Sequence, residues 1–127
     1  AVLVLQIPSV AHYTDDPKLC GVCHVMTAHV NDHRLSSHRH ISCNDCHVAH
    51  GPISQVVTKA TSGARHTAVF LAGTTPVAIR AHASSQALVQ ANCLRCHETQ
   101  LRLAPMGGGL SCLHCHHNAG HSLPLRR

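Results

Sequence analysis

Every cysteine in this chain of 127 residues belongs to one repeated pattern. The eight fall in four pairs, each with two residues between and a histidine directly after: Cys20-Gly-Val-Cys23-His24, Cys43-Asn-Asp-Cys46-His47, Cys93-Leu-Arg-Cys96-His97 and Cys112-Leu-His-Cys115-His116. Residues i and i+3 lie on one face of a helical turn, so both thiols of a pair reach the two vinyl groups along one porphyrin edge. The next residue turns its imidazole over the ring, where it ligates iron from the proximal side. A zinc site asks only for donors that close a tetrahedron, and gives no reason for histidine after every second cysteine. Disulfides give none either. The spacing is that of heme attachment, and four copies imply four covalently bound heme c groups.

The rest of the composition fits a chain organised by such groups. It has no Trp, one Tyr (Tyr13) and one Phe (Phe70), so it lacks the aromatic bulk that usually dominates burial. One domain this poor in large side chains needs staples or a prosthetic group to stay folded. The formal charge of +5 looks at first like an acidic partner's counterpart. Four hemes bring eight propionates, however, and the excess Lys and Arg serve better to neutralise these. No long basic block and no aromatic interleaving suits base stacking, which argues against nucleic acid.

The motifs form two close pairs, and the stretch from His47 to Ala91 between them holds no cysteine. Gly51-Pro52 and Gly73-Thr-Thr-Pro76 punctuate that stretch. Thr75 followed by Pro76 predicts a helix start, with a helix from Pro76 to about Glu98 carrying the third motif. It would set His82, Val89, Cys93 and Cys96 along roughly one face. Gly107-Gly108-Gly109 reads as a flexible link to the fourth motif. No stretch alternates like a strand, so the expected fold is mainly α with much irregular loop: a small multiheme cytochrome c domain over residues 16–127, wrapped around its four hemes. Two close motif pairs suggest two close heme pairs. Residues 1–15 are a candidate outer end of an N-terminal membrane anchor. The apolar run Ala1 to Ile7 stops at Pro8, short of the ~20 residues a span needs, and an ordinary terminal helix or strand reads equally well. Covalent heme attachment takes place outside the cytoplasm, which points to the periplasm.

Eleven histidines lie outside the motif positions: His12, His29, His33, His38, His40, His50, His66, His82, His114, His117 and His121. Each heme needs a second axial ligand or leaves a position open, so about four of these are candidate ligands.

The first motif continues His24-Val-Met26. This start resembles the NapC/NrfH family of membrane-anchored quinol dehydrogenases. The likeness runs through Ser37-His38, Ser42-Cys43-Asn44-Asp45-Cys46-His47-Val48-Ala49-His50, Lys59 and Ser62-Gly63-Ala64-Arg65. It resumes at Gln90-Ala91-Asn92-Cys93 and ends with Cys115-His116 and His121. The resemblance implies that Met26, rather than His24, ligates the first heme, whereas composition alone would leave Met26 as core filler. It implies His47, His97 and His116 as proximal ligands of hemes two, three and four. His38 would be the distal ligand of heme three, His121 that of heme two, and His82 that of heme four. Lys59 would face quinol near the first heme. At His66 the family carries Asp, so His66 either closes the first heme as an axial ligand or takes a proton from quinol.

Two functional classes follow. In the first, the chain oxidises a quinol such as menaquinol at heme one, on the periplasmic face of the cytoplasmic membrane. It then passes electrons to a larger periplasmic multiheme reductase such as nitrite reductase. The second is a soluble tetraheme shuttle or wire without quinol chemistry. A heme enzyme acting at an open iron ranks last.

Overall fold

The computed structural model describes residues 8–103 and 111–121, so Ala1 to Ile7 and the Gly107-Gly108-Gly109 link lie outside the described residues. Helices and loops make up the described chain. They are α1 (Pro8–Asp15), α2 (Pro17–Gly21), α3 (Thr27–Leu35), α4 (Cys43–His47), α5 (Pro52–Leu71), α6 (Ala83–Leu103) and α7 (Cys112–Cys115), with a 3-10 turn at His24–Met26 before α3. No helix among the described residues is long and apolar enough to cross a membrane.

Local chemistry sets where the short helices begin. Asp16 caps α2, its carboxylate accepting from Lys18 N at 2.8 Å with Pro17 at the first helical position. Ser42 and Asp45 form a capping box around α4: the Ser42 hydroxyl accepts from Asn44 N at 3.3 Å, and Asp45 Oδ2 accepts from Ser42 N at 3.1 Å. Ser111 caps α7 in the same way, accepting from Leu113 N at 3.3 Å. In α4 and α7 the capping serine stands directly before the first cysteine of a motif. The cap therefore holds the turn that presents the two thiols.

The expected helix start at Pro76 is not observed. Residues 74–82 are irregular, Val77 is fully exposed, and the helix starts at Ala83 and runs on to Leu103. His82 thus precedes the helix instead of lining it, although its carbonyl accepts from Gln86 N at 2.8 Å. A cap and a proline lower the cost of starting a helix, but a short segment stays helical only where a face packs. Residues 76–82 have no such face, whereas α6 lies against α4 in the most extensive helix contact of the fold.

Among the described residues, only Val30, Val48 and Val56 are buried apolar side chains, and no large side chain is fully enclosed. Polar groups hold the elements instead. Buried Asn92 on α6 donates from Nδ2 to the carbonyls of Cys46 (2.9 Å) and Val48 (3.0 Å), which joins the second motif to the helix carrying the third. Arg95 Nη2 adds contacts to His50 Nε2 at 2.8 Å and to the Asp45 carbonyl at 3.4 Å.

Asn92→Ala leaves two carbonyls without their donor, and should destabilise the heme-loaded protein by about 2–4 kcal/mol. Its thermal unfolding midpoint should fall clearly; an unchanged midpoint would mean that the junction is held by other contacts.

Candidate heme and quinol sites

The four motifs sit on helical turns, with one departure. In the second, third and fourth motifs both cysteines are helical and the histidine marks the helix end or a break. His47 closes α4. His97 interrupts α6 at φ −103°, ψ 15°. His116 follows α7 at φ −103°, ψ 40°. The chain thus leaves helical geometry at His97 and His116 themselves and directly after His47, at Val48. In the first motif the break comes one residue earlier: α2 ends at Gly21, and Cys23 is extended at φ −81°, ψ 116°. His24 then enters the 3-10 turn and stacks edge-on against Phe70, with ring centres 5.9 Å apart. Met26 ends the same turn, its backbone N bonded to the Cys23 carbonyl at 2.8 Å.

Two pairs of histidine rings face each other across the fold. The ring centres of His38 and His97 are 6.0 Å apart, and those of His47 and His121 are 6.2 Å apart. A metal between two imidazoles, about 2 Å from each ring nitrogen, holds the ring centres about 6 Å apart. These pairs therefore fit a heme iron, and with the cysteine turns they are the residues that would hold such groups. Distance alone does not single out His47, because His29 and His33 on α3 stand 5.7 and 6.2 Å from His121. The hydrogen bonds add orientation. His38 Nδ1 bonds the Ala119 carbonyl at 2.9 Å, and His121 Nδ1 approaches the His29 carbonyl at 3.3 Å. Each bond fixes the ring and leaves Nε2 as the donor for a metal.

Charge favours the ligating form. The imidazoles of His47 and His121 are both pushed towards the neutral state. Desolvation is the main cause at each, followed by neighbouring histidines: His121, His33, His66 and His29 around His47, and His29 and His33 around His121. The His29 carbonyl and buried Asp32, 4.0 Å from His121 Nδ1, act against the shift at His121. A neutral imidazole is the one that binds a metal.

The motif thiols also form a chain. Cys20 and Cys43 are hydrogen-bonded, which lowers the Cys20 thiol to about 7 and raises that of Cys43. Cys46 is raised mainly by desolvation and then by Cys93, and Cys93 mainly by desolvation and then by Cys112. The two expected motif pairs are thus knit together, with the second motif beside the third as well as the first. Gln90 positions the fourth. Its Oε1 accepts from Cys112 N at 2.8 Å and Ser111 Oγ at 3.1 Å, and its Nε2 reaches Cys112 Sγ at 3.3 Å.

The remaining expected residues are placed as follows. Lys59 is largely buried on α5 and pairs with Asp15 Oδ1 at 2.6 Å and Thr14 Oγ1 at 3.1 Å. His66, two turns on, is exposed and lies close enough to His47 to lower its basicity. His82 is held by the Arg65 guanidinium, and among the described residues it makes no ring contact with His116. Sequence reasoning missed Asp15, Asn92 and Gln90 as partners. The Ser42–Asp45 box was visible in the sequence as Ser-x-x-Asp, but the three long-range contacts carry no local signal.

No family model matches the chain. It is 37% identical over 110 residues to the cytochrome c nitrite reductase subunit NrfH of Nitratidesulfovibrio vulgaris, covering 86% of this chain and 69% of that protein. The chain belongs to the NrfH family. The cytochrome c-type protein NrfH of Wolinella succinogenes is 33% identical over 97 residues, and the match spans 75% of this chain and 55% of that relative. A crystal structure of the cytochrome c nitrite reductase NrfHA complex, bound to the inhibitor HQNO, superposes with a TM-score of 0.82 at 35% identity, covering 95% of this chain and 87% of that one. The mainly helical, strand-free fold is therefore that of a small c-type cytochrome.

Replacing Gln90 by Ala removes every side-chain contact described above between α6 and the Ser111–Cys112 cap, a loss of about 1–3 kcal/mol. Intact-mass analysis of the exported protein should then show a fraction of chains with three hemes instead of four.

Proposed function

We propose that the chain is a tetraheme electron-transfer cytochrome that oxidises a quinol, such as menaquinol, near its first motif and delivers electrons to a larger multiheme nitrite reductase. Its place is the periplasmic face of the cytoplasmic membrane, with residues 1–15 leading in from an anchor. The observation that carries this reading is the departure of the first motif from the other three. A chain serving only as a wire has no use for one attachment turn of different geometry. A chain with an entry point does.

Bound hemes supply a row of one-electron acceptors for the two electrons of a quinol. The protein's own residues do the rest. Phe70 stacks edge-on against His24, and Met26, at the end of the 3-10 turn, would hold the first heme through its thioether. His47 with His121, and His97 with His38, would hold hemes two and three. His116 would hold heme four, and His82 would have to give up Arg65 to join it. Lys59 donates a hydrogen bond to the quinol oxygen. His66 lies seven residues along the same face of α5, placed to accept a proton. The bonds that tie each attachment turn to the next, through Ser42, Asn92 and Gln90, support a continuous run of hemes from the first to the fourth. The relatives named NrfH and the NrfHA complex with its inhibitor support both the quinol end and the reductase end.

Electron paramagnetic resonance of the oxidised protein tests the entry point. One heme in four should be high-spin, and a quinol analogue should alter that signal alone. Four low-spin hemes indifferent to the analogue would make His66 an axial ligand and leave the shuttle function in its place. In the same measurement, His38→Ala should convert one low-spin heme to high-spin without disturbing the analogue response.

A further inference from the structure

The Asp15 carboxylate, at the end of α1, joins distant parts of the chain. Its Oδ1 accepts from Lys59 Nζ at 2.6 Å and also from Asn44 Nδ2. Around it, Thr14 Oγ1 accepts from Lys59 Nζ at 3.1 Å, and the Thr14 carbonyl accepts from Asn44 Nδ2 at 3.0 Å. The Ser42 hydroxyl donates to the Asp15 carbonyl at 2.9 Å. Asp15 and Thr14 thus tie α1 to two elements that lie 27 to 45 residues further along the chain. One of these is α5 with Lys59; the other is the Ser42–Asn44 cap of the second heme-attachment turn.

We infer that Asp15 and Thr14 are positioning residues for the quinol site, holding the Lys59 ammonium where it can only donate to the quinol oxygen. The inference rests on the reading that Lys59 faces quinol. An ammonium has three N–H donors and no acceptor. Two donors are committed to Asp15 and Thr14, which fixes an otherwise flexible four-carbon stem and leaves the third for a ligand. Lys59, His66 and Phe70 are spaced seven and eleven residues apart on α5, so they share a face, and Phe70 on that face rests against His24 of the first motif. Lys59 is also held next to the first motif by its partners, because Thr14 and Asp15 lie directly before α2, which carries Cys20.

The arrangement divides the chemistry. Quinol oxidation releases two protons and two electrons; the electrons go to the hemes, and the protons leave one after the other through exposed His66 to solvent. Held in place by Asp15, the Lys59 ammonium stabilises the quinol oxygen as its O–H bond breaks. It does not take the proton. Asp15 itself touches no substrate. Because the same carboxylate grips Asn44, between Cys43 and Cys46, the quinol-facing lysine is indexed to the second heme's attachment turn.

The test uses the heme-loaded, full-length protein, with HQNO binding and heme reduction by a quinol analogue as readouts. Dithionite reduction of all four hemes is the control for assembly. Lys59→Met should weaken HQNO binding and quinol-driven reduction. Asp15→Asn, which keeps an oxygen acceptor but removes the charge, should weaken both by about 10–100-fold. The double variant should be no worse than Lys59→Met, because the two act through one group. Asp15→Glu should recover part of the loss. Wild-type behaviour of Asp15→Asn beside an impaired Lys59→Met overturns the inference and leaves the quinol site standing. Wild-type behaviour of Lys59→Met overturns the site itself, and the inference with it. If Asp15→Asn fails to assemble, Thr14→Val decides: it keeps the ion pair and removes one anchor, so a several-fold loss of HQNO affinity supports the inference and no loss overturns it.

Discussion

A single turn of helix has to present two thiols to one edge of a flat group and then send the next side chain across its face. That requirement governs most of what the chain does locally. A turn of helix alone in water does not hold, because nucleation fixes several dihedrals for one hydrogen bond. The motifs obtain their turn from outside help. Ser42 and Ser111 cap α4 and α7 at the residue before the first cysteine, and the third motif borrows the length of α6. The helix must also end at the histidine, and φ near −103° at both His97 and His116 shows the same exit used twice. At the first motif the exit comes at Cys23, and His24 and Met26 both lie in a 3-10 turn, a backbone path the other three motifs do not take. A displacement of one residue in a backbone break is what distinguishes this motif, and it underlies the proposal that Met26 serves there in place of His24.

What the sequence made legible follows from this. The attachment turns, the absence of strands and the poverty of the core were all readable, because each depends on residue type at short spacing. The Pro76 start failed for the converse reason: Thr75-Pro76 is a sound local signal, but helix stability comes from a packed face and residues 76–82 have none. The Asp15–Lys59 pair spans 44 positions and the Asn92 bonds span 44 and 46. Nothing local marks such partners, since Lys, Asp and Asn are ordinary surface residues until the fold brings them inside. The pairing of His38 with His97 was reached through family resemblance, not through spacing. His38, close in sequence to the second motif, turns instead towards the third.

The polar character of the interior also has a consequence for charge. Buried Asp32 and Asn92, with the Asp15–Lys59 pair, do work that leucine and phenylalanine perform in larger cores. Polar contacts of this kind stabilise less per group, and their loss costs more when a partner stays behind unpaired. They also fix direction, which apolar contacts do not. For a protein whose side chains must meet flat groups at set angles, directional bonds are the better material: the Ala119 carbonyl that orients His38 lies two residues before His121, whose own ring is oriented by the His29 carbonyl. One short segment near the end of the described chain thereby sets the rings of two different pairs.

That sharing extends along the whole molecule. The second motif is joined to the segment before the first by the bonds of Ser42 and Asn44 to Asp15 and Thr14, and to the third by the Asn92 bonds; the fourth is fastened to α6 by Gln90. Each attachment turn is located by its neighbour and not by a common core. A chain built this way cannot move one site without moving the next, so spacing between successive hemes would be inherited from short hydrogen bonds instead of from bulk packing. The price is that the end of the row must be handled separately, because it has a neighbour on one side only. At the first motif the missing neighbour is replaced by α1 and α5, through Thr14, Asp15, Lys59 and Phe70. If Lys59 faces quinol as proposed, the contacts that anchor this terminal site are also the ones that would meet a substrate arriving from outside the row.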